Sequence, residues 1–240
     1  MLDQVTLEIA PFGRTETGTV NRALPSQKKI LDWIDQVRKG QIPCKGIPVL
    51  YVQGGWRSAK TSGCLAGIQE LLQDFPGLRV LMGRKDFNDL RLSTIESWRQ
   101  CRDRLFVLHE DKQEHREEWV NGSQVFFREL KDLEGLGGQE FGVILVSEPY
   151  ELNKEMYYRL KGRISQKGMP HMLIMEGNPP NEGHWLHQQV VGDDRNPPDP
   201  DITFMEVSTD ENWENLPLTY RHFIESAPAS WQRKYRLGKW

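Results

Sequence analysis

The residues best suited to chemistry lie between Gly54 and Thr61, in the run GGWRSAKT. This run is one substitution away from G-x-x-x-x-G-K-[ST], the spacing of a loop whose backbone N–H groups bind nucleotide phosphates. The two glycines allow backbone angles that bring amides close to a phosphate. Lys60 is a cation for the β- and γ-phosphates, and the Thr61 hydroxyl suits Mg²⁺. The pattern predicts an ATP and Mg²⁺ site made by Gly54, Gly55, Trp56, Arg57, Ser58, Ala59, Lys60, Thr61 and Ser62.

A strand and a helix are predicted on either side of this phosphate loop (residues 54–61). The run 49–52, VLYV, is apolar without alternation, as in a parallel strand buried on both faces. The helix that opens at Thr61 directs its positive dipole end at the anion. The departure is Ala59, where glycine is usual, and we expect it to have ordinary helical angles that tolerate its methyl group. The alternative is a glycine-rich turn that binds nothing, which the strand–loop–helix context disfavours.

Glu148 is the second candidate, because it follows the apolar run of residues 141–146. Such a strand delivers an acid to the carboxyl edge of the sheet, where ligands bind in open α/β folds. A carboxylate there can orient and partly deprotonate the water that attacks a γ-phosphate. ATPases usually have Asp just before this Glu to hold the Mg²⁺ shell, whereas Ser147 brings a hydroxyl but no charge. The predicted metal-site residues are Thr61, Ser147 and Glu148; the alternative is a strand end with an incidental acid.

Three further polar side chains have weaker signals. Asn178 follows a predicted strand at 172–175, where its amide could contact the γ-phosphate, although Asn before Pro is by itself only a turn signal. Gln27 stands in the first turn of a helix predicted to be capped by Ser26, and it either binds the adenine edge or is a surface residue. Arg84 either reaches a phosphate or a neighbouring subunit, or belongs to a solvated basic face.

The whole chain limits the alternatives. Its 240 residues suffice for one large domain over 23–240, with a polar arm at 1–22. The net charge of −3 neither supports nor excludes DNA binding. Three unevenly spaced cysteines argue against a disulfide framework or a zinc site and favour a reducing, cytoplasmic setting. Without a leader pattern or an apolar run of about 20 residues, we expect a soluble protein that is not exported.

The predicted fold is α/β, a P-loop NTPase of the ASCE type with a mostly parallel central sheet flanked by helices. An Asn121-Gly122 turn between apolar segments also predicts an antiparallel hairpin at one side of the sheet.

Taken together, the phosphate loop, Glu148 and Asn178 give the chain a resemblance to the ATPase domain of the large terminase subunit of tailed bacteriophages. The resemblance covers roughly residues 20–240. It extends to three further segments, GRK at 83–85 running into LRLST at 90–94, GNP at 177–179 with GHWL at 183–186, and WQRKYRLGKW at 231–240.

This resemblance implies an ATP-driven motor that translocates double-stranded DNA into a procapsid. The implied partners are the portal protein, the small terminase subunit and further copies of the chain in a ring, with a monomer expected in isolation. Such a motor acts in the host cytoplasm and is not part of the mature virion. Glu148 would activate water, Asn178 would couple hydrolysis to movement, and Arg57 or Arg84 would stabilise charge, in their own site or in a neighbour's.

Some positions depart from the family pattern. The family often has Arg at the place of Trp56 and a small residue at the place of Arg57. Family members also continue into a nuclease domain, and since this chain stops at Trp240 we expect no nuclease activity. Three alternatives remain: a nucleotide-binding structural or regulatory module with an ATPase weakened by Ser147 and Ala59, a small-molecule kinase, and a helicase. The kinase lacks its Arg-rich lid, and the helicase lacks a second motor domain.

Overall fold

A computed structural model describes residues 23–131, 136–193 and 195–240. Within these ranges the strands form one eight-stranded sheet, with bounds β1 (Val49–Gly54), β2 (Arg79–Arg84), β3 (Val107–Asp111), β4 (Arg116–Trp119), β5 (Gln124–Glu129), β6 (Val143–Ser147), β7 (Met172–Gly177) and β8 (Ile202–Val207). The arm expected at residues 1–22 lies outside the described residues.

The sheet is mostly parallel, and its strand order is β3-β4-β5-β2-β6-β7-β1-β8. All neighbours from β5 to β8 pair in parallel, whereas β3, β4 and β5 pair antiparallel at one edge. Gly122, in the turn between β4 and β5, has a φ of 82°, which glycine adopts without steric cost. The predicted α/β architecture and its antiparallel hairpin are therefore confirmed.

The helices are α1 (Pro25–Arg38), α2 (Lys60–Asp74), α3 (Phe87–Leu90), α4 (Glu96–Cys101), α5 (Lys154–Lys161), α6 (Trp185–Val191), α7 (Leu218–Ser226) and α8 (Ala229–Tyr235). A π-helical turn, Arg91–Ile95, joins α3 to α4. The cap predicted at Ser26 is wrong: Pro25 takes the first helical position, which its fixed φ suits, and Ser26 is buried inside the helix. Among the described helices, none is long and apolar enough to span a membrane.

Apolar side chains cover both faces of the sheet, and the two layers come from alternate residues of the same strands. On one face Leu50 and Val52 of β1 pack in a cluster with residues of α1, α2 and α4. On the other face Val49 and Tyr51 join a cluster with residues of α5 and α6. Every residue of β1, β6 and β7 is buried. These three neighbouring strands thus form a rigid base for whatever projects from their carboxyl ends.

Candidate nucleotide-binding site

The carboxyl ends of β1, β7 and β6 lie side by side and bring three predicted site segments to one edge of the sheet. In the parallel register Gln53 of β1 lies beside Gly177 of β7, and Ser147 of β6 lies beside Glu176 of β7. The phosphate loop follows β1, Glu148 follows β6, and Asn178 follows β7. The common edge is where open α/β sheets bind ligands.

The phosphate loop turns sharply before α2. Arg57 and Ala59 both have left-handed backbone angles, with φ of 59° and 64°. Within the part of the chain that the structure describes, no group accepts a hydrogen bond from the backbone N–H groups of residues 57–62. Consecutive free amides at a helix N-terminus are an anion-binding arrangement.

The backbone expected for Ala59 is wrong. Its φ of 64° and ψ of 17° are left-handed rather than helical, because the residue preceding α2 must reverse the chain direction. A Cβ in this conformation approaches its own backbone, which explains why glycine suits the position better.

A cavity of about 410 Å³ opens over the phosphate loop. Its lining combines loop residues with four side chains from elsewhere in the fold, namely Arg57, Ser58, Ala59, Lys60, Thr61 and Ser62 with Ser97, Gln100, Cys101 and Asn212. The volume is in the range of small-molecule sites. Six of the residues predicted to bind nucleotide therefore border one open space.

Gln27 supports the loop from below. It is buried, and its Nε2 donates to Ser62 Oγ at 2.9 Å and to Ala59 O at 3.3 Å. Its Oε1 accepts from Leu24 N at 2.8 Å. The surface alternative is wrong, and both amide hydrogens are used within the chain. In this structure Gln27 positions the turn at Ala59, and contact with a base would require these bonds to be exchanged.

Lys60 and Thr61 converge on an acid that the sequence analysis missed, Glu176. Thr61 Oγ1 donates to Glu176 Oε2 at 2.9 Å, and Lys60 Nζ lies 4.0 Å from the same oxygen. Glu176 is 3% exposed, near the end of β7. Its signal is the one that identified Glu148, an acid directly after a buried apolar run. Because Asn178 drew the attention at this strand end, the acid two residues earlier was overlooked.

Glu148 has a left-handed backbone, with φ of 52° and ψ of 58°, a conformation that costs energy in any residue with a Cβ. Its N–H donates to Glu176 O at 2.7 Å, and its Oε2 accepts from Asn178 N at 3.1 Å. Burial, followed by the negative charge of Glu176, raises the pKa of the Glu148 carboxyl above its usual value. These contacts hold the acid at the sheet edge in a form that takes up a proton more readily than a free glutamate.

A small cavity of about 80 Å³ lies beside Glu148 and suits a hydrated Mg²⁺ ion. Oxygen-bearing side chains line it, among them Thr61, Ser147, Glu148 and Glu176. Mg²⁺ prefers oxygen ligands and usually takes one or two carboxylates, several waters and substrate phosphates. Across residues 23–131, 136–193 and 195–240 no group of three or more His, Cys, Asp and Glu side chains is placed to hold a metal alone. The donor set therefore fits a metal that arrives with a nucleotide.

The two arginines differ in their surroundings. Arg84 borders the small cavity and is held by Glu151, with Nη2 to Oε1 at 2.7 Å and Nε to Oε2 at 3.1 Å. This pair raises the pKa of Arg84. Arg57 is exposed at the rim of the phosphate loop, and its carbonyl accepts from Asn212 Nδ2 at 2.7 Å. The structure thus brings Arg84 to the acid side of the site and Arg57 to the open side.

Asn178 contacts the phosphate loop directly. With its amide oriented by the hydrogen-bond network, it donates to Gly54 O at 2.9 Å and accepts from Trp56 Nε1 at 3.0 Å. The Trp56 ring packs on Tyr235 and Trp231 of α8, with ring centroids 4.7 and 5.4 Å away. Trp56 thus connects the segment after β7 to α8.

The C-terminal segment (residues 235–238) forms the outer support of the phosphate loop, which the sequence analysis did not predict. Trp56 N donates to Tyr235 O at 2.7 Å, and Gln53 Nε2 donates to Gly238 O at 2.8 Å. A Cβ on Gly55 would overlap the carbonyl of Arg236, so only glycine allows this close approach. These contacts join residues far apart in the chain, and no local pattern announces them.

Comparisons with known proteins agree with this geometry. The family model described as phage terminase large subunit matches residues 50–238. The fold resembles the large terminase of a thermophilic bacteriophage in complex with ADP, with a TM-score of 0.70, 15% identity, and coverage of 91% of this chain and 54% of that chain. It also resembles the large terminase ATPase domain of Thermus phage P74-26, with a TM-score of 0.59, 13% identity, and coverage of 91% and 99%.

The large terminase of bacteriophage HK97 is similar as well, with a TM-score of 0.61, 12% identity, and coverage of 82% of this chain and 41% of that chain. No functionally curated protein is significantly similar to the chain. The chain spans about half the length of the large terminases that it matches, and nearly all of the separate ATPase domain. Because the family model covers most of the sequence and the fold is that of terminase ATPase domains, the chain belongs to the phage terminase large subunit family.

Proposed function

We propose that this chain is the ATP-hydrolysing motor of phage DNA packaging, which translocates double-stranded DNA into a procapsid. The observation that carries the proposal is the convergence of the free amides of residues 57–62, Lys60 and the buried acid Glu148 at one sheet edge. Family membership adds the biological context. Two of the similar large terminases were solved with ADP and with ATP-γ-S, which supports the same ligand class here.

Nucleotide binding would begin at the phosphate loop. The amides of residues 57–62 and the α2 dipole attract the phosphates, and Lys60 Nζ, close to Gly55 O and Glu176, has a short distance to move to reach them. Thr61, Ser147 and Glu148 would hold Mg²⁺ or its water shell, and the ion would supply positive charge to the β- and γ-phosphates.

Hydrolysis would depend on Glu148 and be signalled by Asn178. The raised pKa of Glu148 makes its carboxylate a stronger base, suited to orient water and accept its proton. Asn178 N–H fixes that carboxylate, while the Asn178 side chain holds Gly54 and Trp56. A γ-phosphate that drew the Asn178 amide away would release Trp56 and change its contact with α8, which couples the chemistry to movement.

Assembly into a ring would complete each site. Arg57 is exposed and free to approach a phosphate in its own or a neighbouring site, whereas Arg84 must first leave Glu151. The proposed partners are the DNA, the portal protein of the procapsid and the small terminase subunit, met in the host cytoplasm.

Steady-state ATP hydrolysis tests the proposal. We would measure turnover with and without double-stranded DNA across a range of protein concentrations, with Lys60→Ala as the inactive variant. Lys167→Ala, an exposed lysine before β7, is the matched control. We expect turnover that rises with protein concentration and with DNA, is lost in Lys60→Ala and is kept in Lys167→Ala. Equal turnover by the two variants, or ATP hydrolysis indifferent to DNA and to assembly, would refute the proposal.

A further inference from the structure

We propose that Glu176 is the second carboxylate of the metal site and supplies from β7 the negative charge that Ser147 lacks on β6; this inference rests on the proposed ATP-binding function. The two positions are direct neighbours in the parallel register. Adjacent in-register residues of a sheet project to the same face, so a side chain at either position can serve one site.

Ser147 is not available to replace an acid. Its hydroxyl is buried and bonds to Thr94 Oγ1 at 2.7 Å, in the π-helical turn between α3 and α4. A hydroxyl also carries no charge, whatever its orientation. Of the carboxylates that line the small cavity, the two are Glu148 and Glu176. Glu148 is partly committed, because its Oε2 accepts from Asn178 N.

Glu176 already contacts the groups that a metal-bound nucleotide would engage. Its Oε2 accepts from Thr61 Oγ1, the hydroxyl predicted to face the metal, and it lies 4.0 Å from Lys60 Nζ, the cation predicted to face the phosphates. A carboxylate that is 3% exposed needs a positive partner to stay ionised. With no nucleotide bound, Lys60 fills that role.

Charge balance then requires a divalent cation when ATP binds. The triphosphate attracts Lys60, so Glu176 loses its partner while further negative charge enters beside Glu148. Arg84 cannot compensate, since Glu151 holds it through two hydrogen bonds. A dication between the phosphates, Thr61 and Glu176 restores the balance. The Thr61–Glu176 contact is therefore the metal site in its closed, resting arrangement.

The test measures metal affinity rather than turnover. With ATP-γ-S bound, the affinity for Mn²⁺ would be followed by electron paramagnetic resonance and that for Mg²⁺ by competition. The variants are Glu176→Gln, Ser147→Asp and the double variant, and Glu140→Gln, an exposed acid before β6, is the matched control. The amide in Glu176→Gln is isosteric and still accepts from Thr61, so the fold is retained and checked by thermal melting.

We expect Glu176→Gln to lower metal affinity about 10- to 100-fold, the effect typical for partners of a metal site, with metal-free binding of ATP-γ-S unchanged or tighter. Ser147→Asp in the same chain should restore most of the loss, which a purely structural role for Glu176 cannot explain. Unchanged metal affinity in Glu176→Gln, or a double variant no better than Glu176→Gln, would overturn the inference alone. A wild-type chain that binds no ATP-γ-S at any metal concentration would refute the proposed function as well.

Discussion

Replacing Ala59 with glycine should stabilise the protein, although it removes atoms from the folded state. Ala59 has left-handed angles, which cost an L-residue about 1–2 kcal/mol and glycine almost nothing. Glycine gains more entropy in the unfolded chain, which offsets about 0.4–1 kcal/mol. The hydrogen bonds that the Ala59 carbonyl accepts from Gln27 and Ser62 involve backbone only on its side and survive the change. The expected net gain is about 0.5–1 kcal/mol.

Urea denaturation at 25 °C gives this difference directly, and melting should rise by about 2–4 °C per kcal/mol in a chain of this size. Ala66→Gly is the matched control, because Ala66 lies in the interior of α2. There the same substitution should destabilise by about 1 kcal/mol or more through lost helix propensity and packing. An Ala59→Gly variant that is less stable than the wild type, or two variants with the same sign, would refute the backbone argument.

Three other predictions use the site contacts. The raised Glu148 pKa means that ionising this acid costs stability, so Glu148→Gln should be more stable than the wild type at pH 7 in nucleotide-free buffer, and the advantage in denaturation should vanish as pH falls through the folded-state pKa; an advantage that grows toward low pH would contradict this. Gly238→Ala adds a Cβ 2.7 Å from a phosphate-loop Cα and should lose about 1–3 kcal/mol and ATP-γ-S affinity, whereas Gly40→Ala, with a similar φ and no close neighbour, should lose stability only; equal binding losses would argue against loop support. Trp56→Phe removes the donor to Asn178 but keeps a ring, so ATP-γ-S binding should persist while DNA-stimulated hydrolysis falls; full stimulation would exclude the coupling role.

The parts of the site that follow from the sequence are those encoded locally. An apolar run followed by Gly54-Gly55 and by Lys60-Thr61 predicts a strand, a loop and a helix because each feature depends on neighbours within a few residues. Glu148 is found in the same way, as an acid after a buried strand. The order of strands in the sheet then places these segments together without further information.

Other features depend on contacts between distant parts of the chain, and the sequence does not reveal them. Glu176 becomes informative only when β7 is seen between β1 and β6, with Thr61 above it. The left-handed angles of Ala59 follow from how the loop must meet α2, not from its residue type. Gln27 was expected at the base or at the surface, but the packing of α1 against α2 buries it beneath the loop.

The support of the phosphate loop by residues 235–238 also sets the order in which the protein matures during synthesis. Gln53 and its partner Gly238 are 185 residues apart in sequence. At about 5–20 residues per second, a ribosome makes the loop roughly 10–40 s before the segment that braces it. Strand β7 with Glu176 also arrives late. A nascent chain that already contains the whole phosphate-binding sequence therefore lacks the means to hold it in shape, and nucleotide cannot act as a template for early folding.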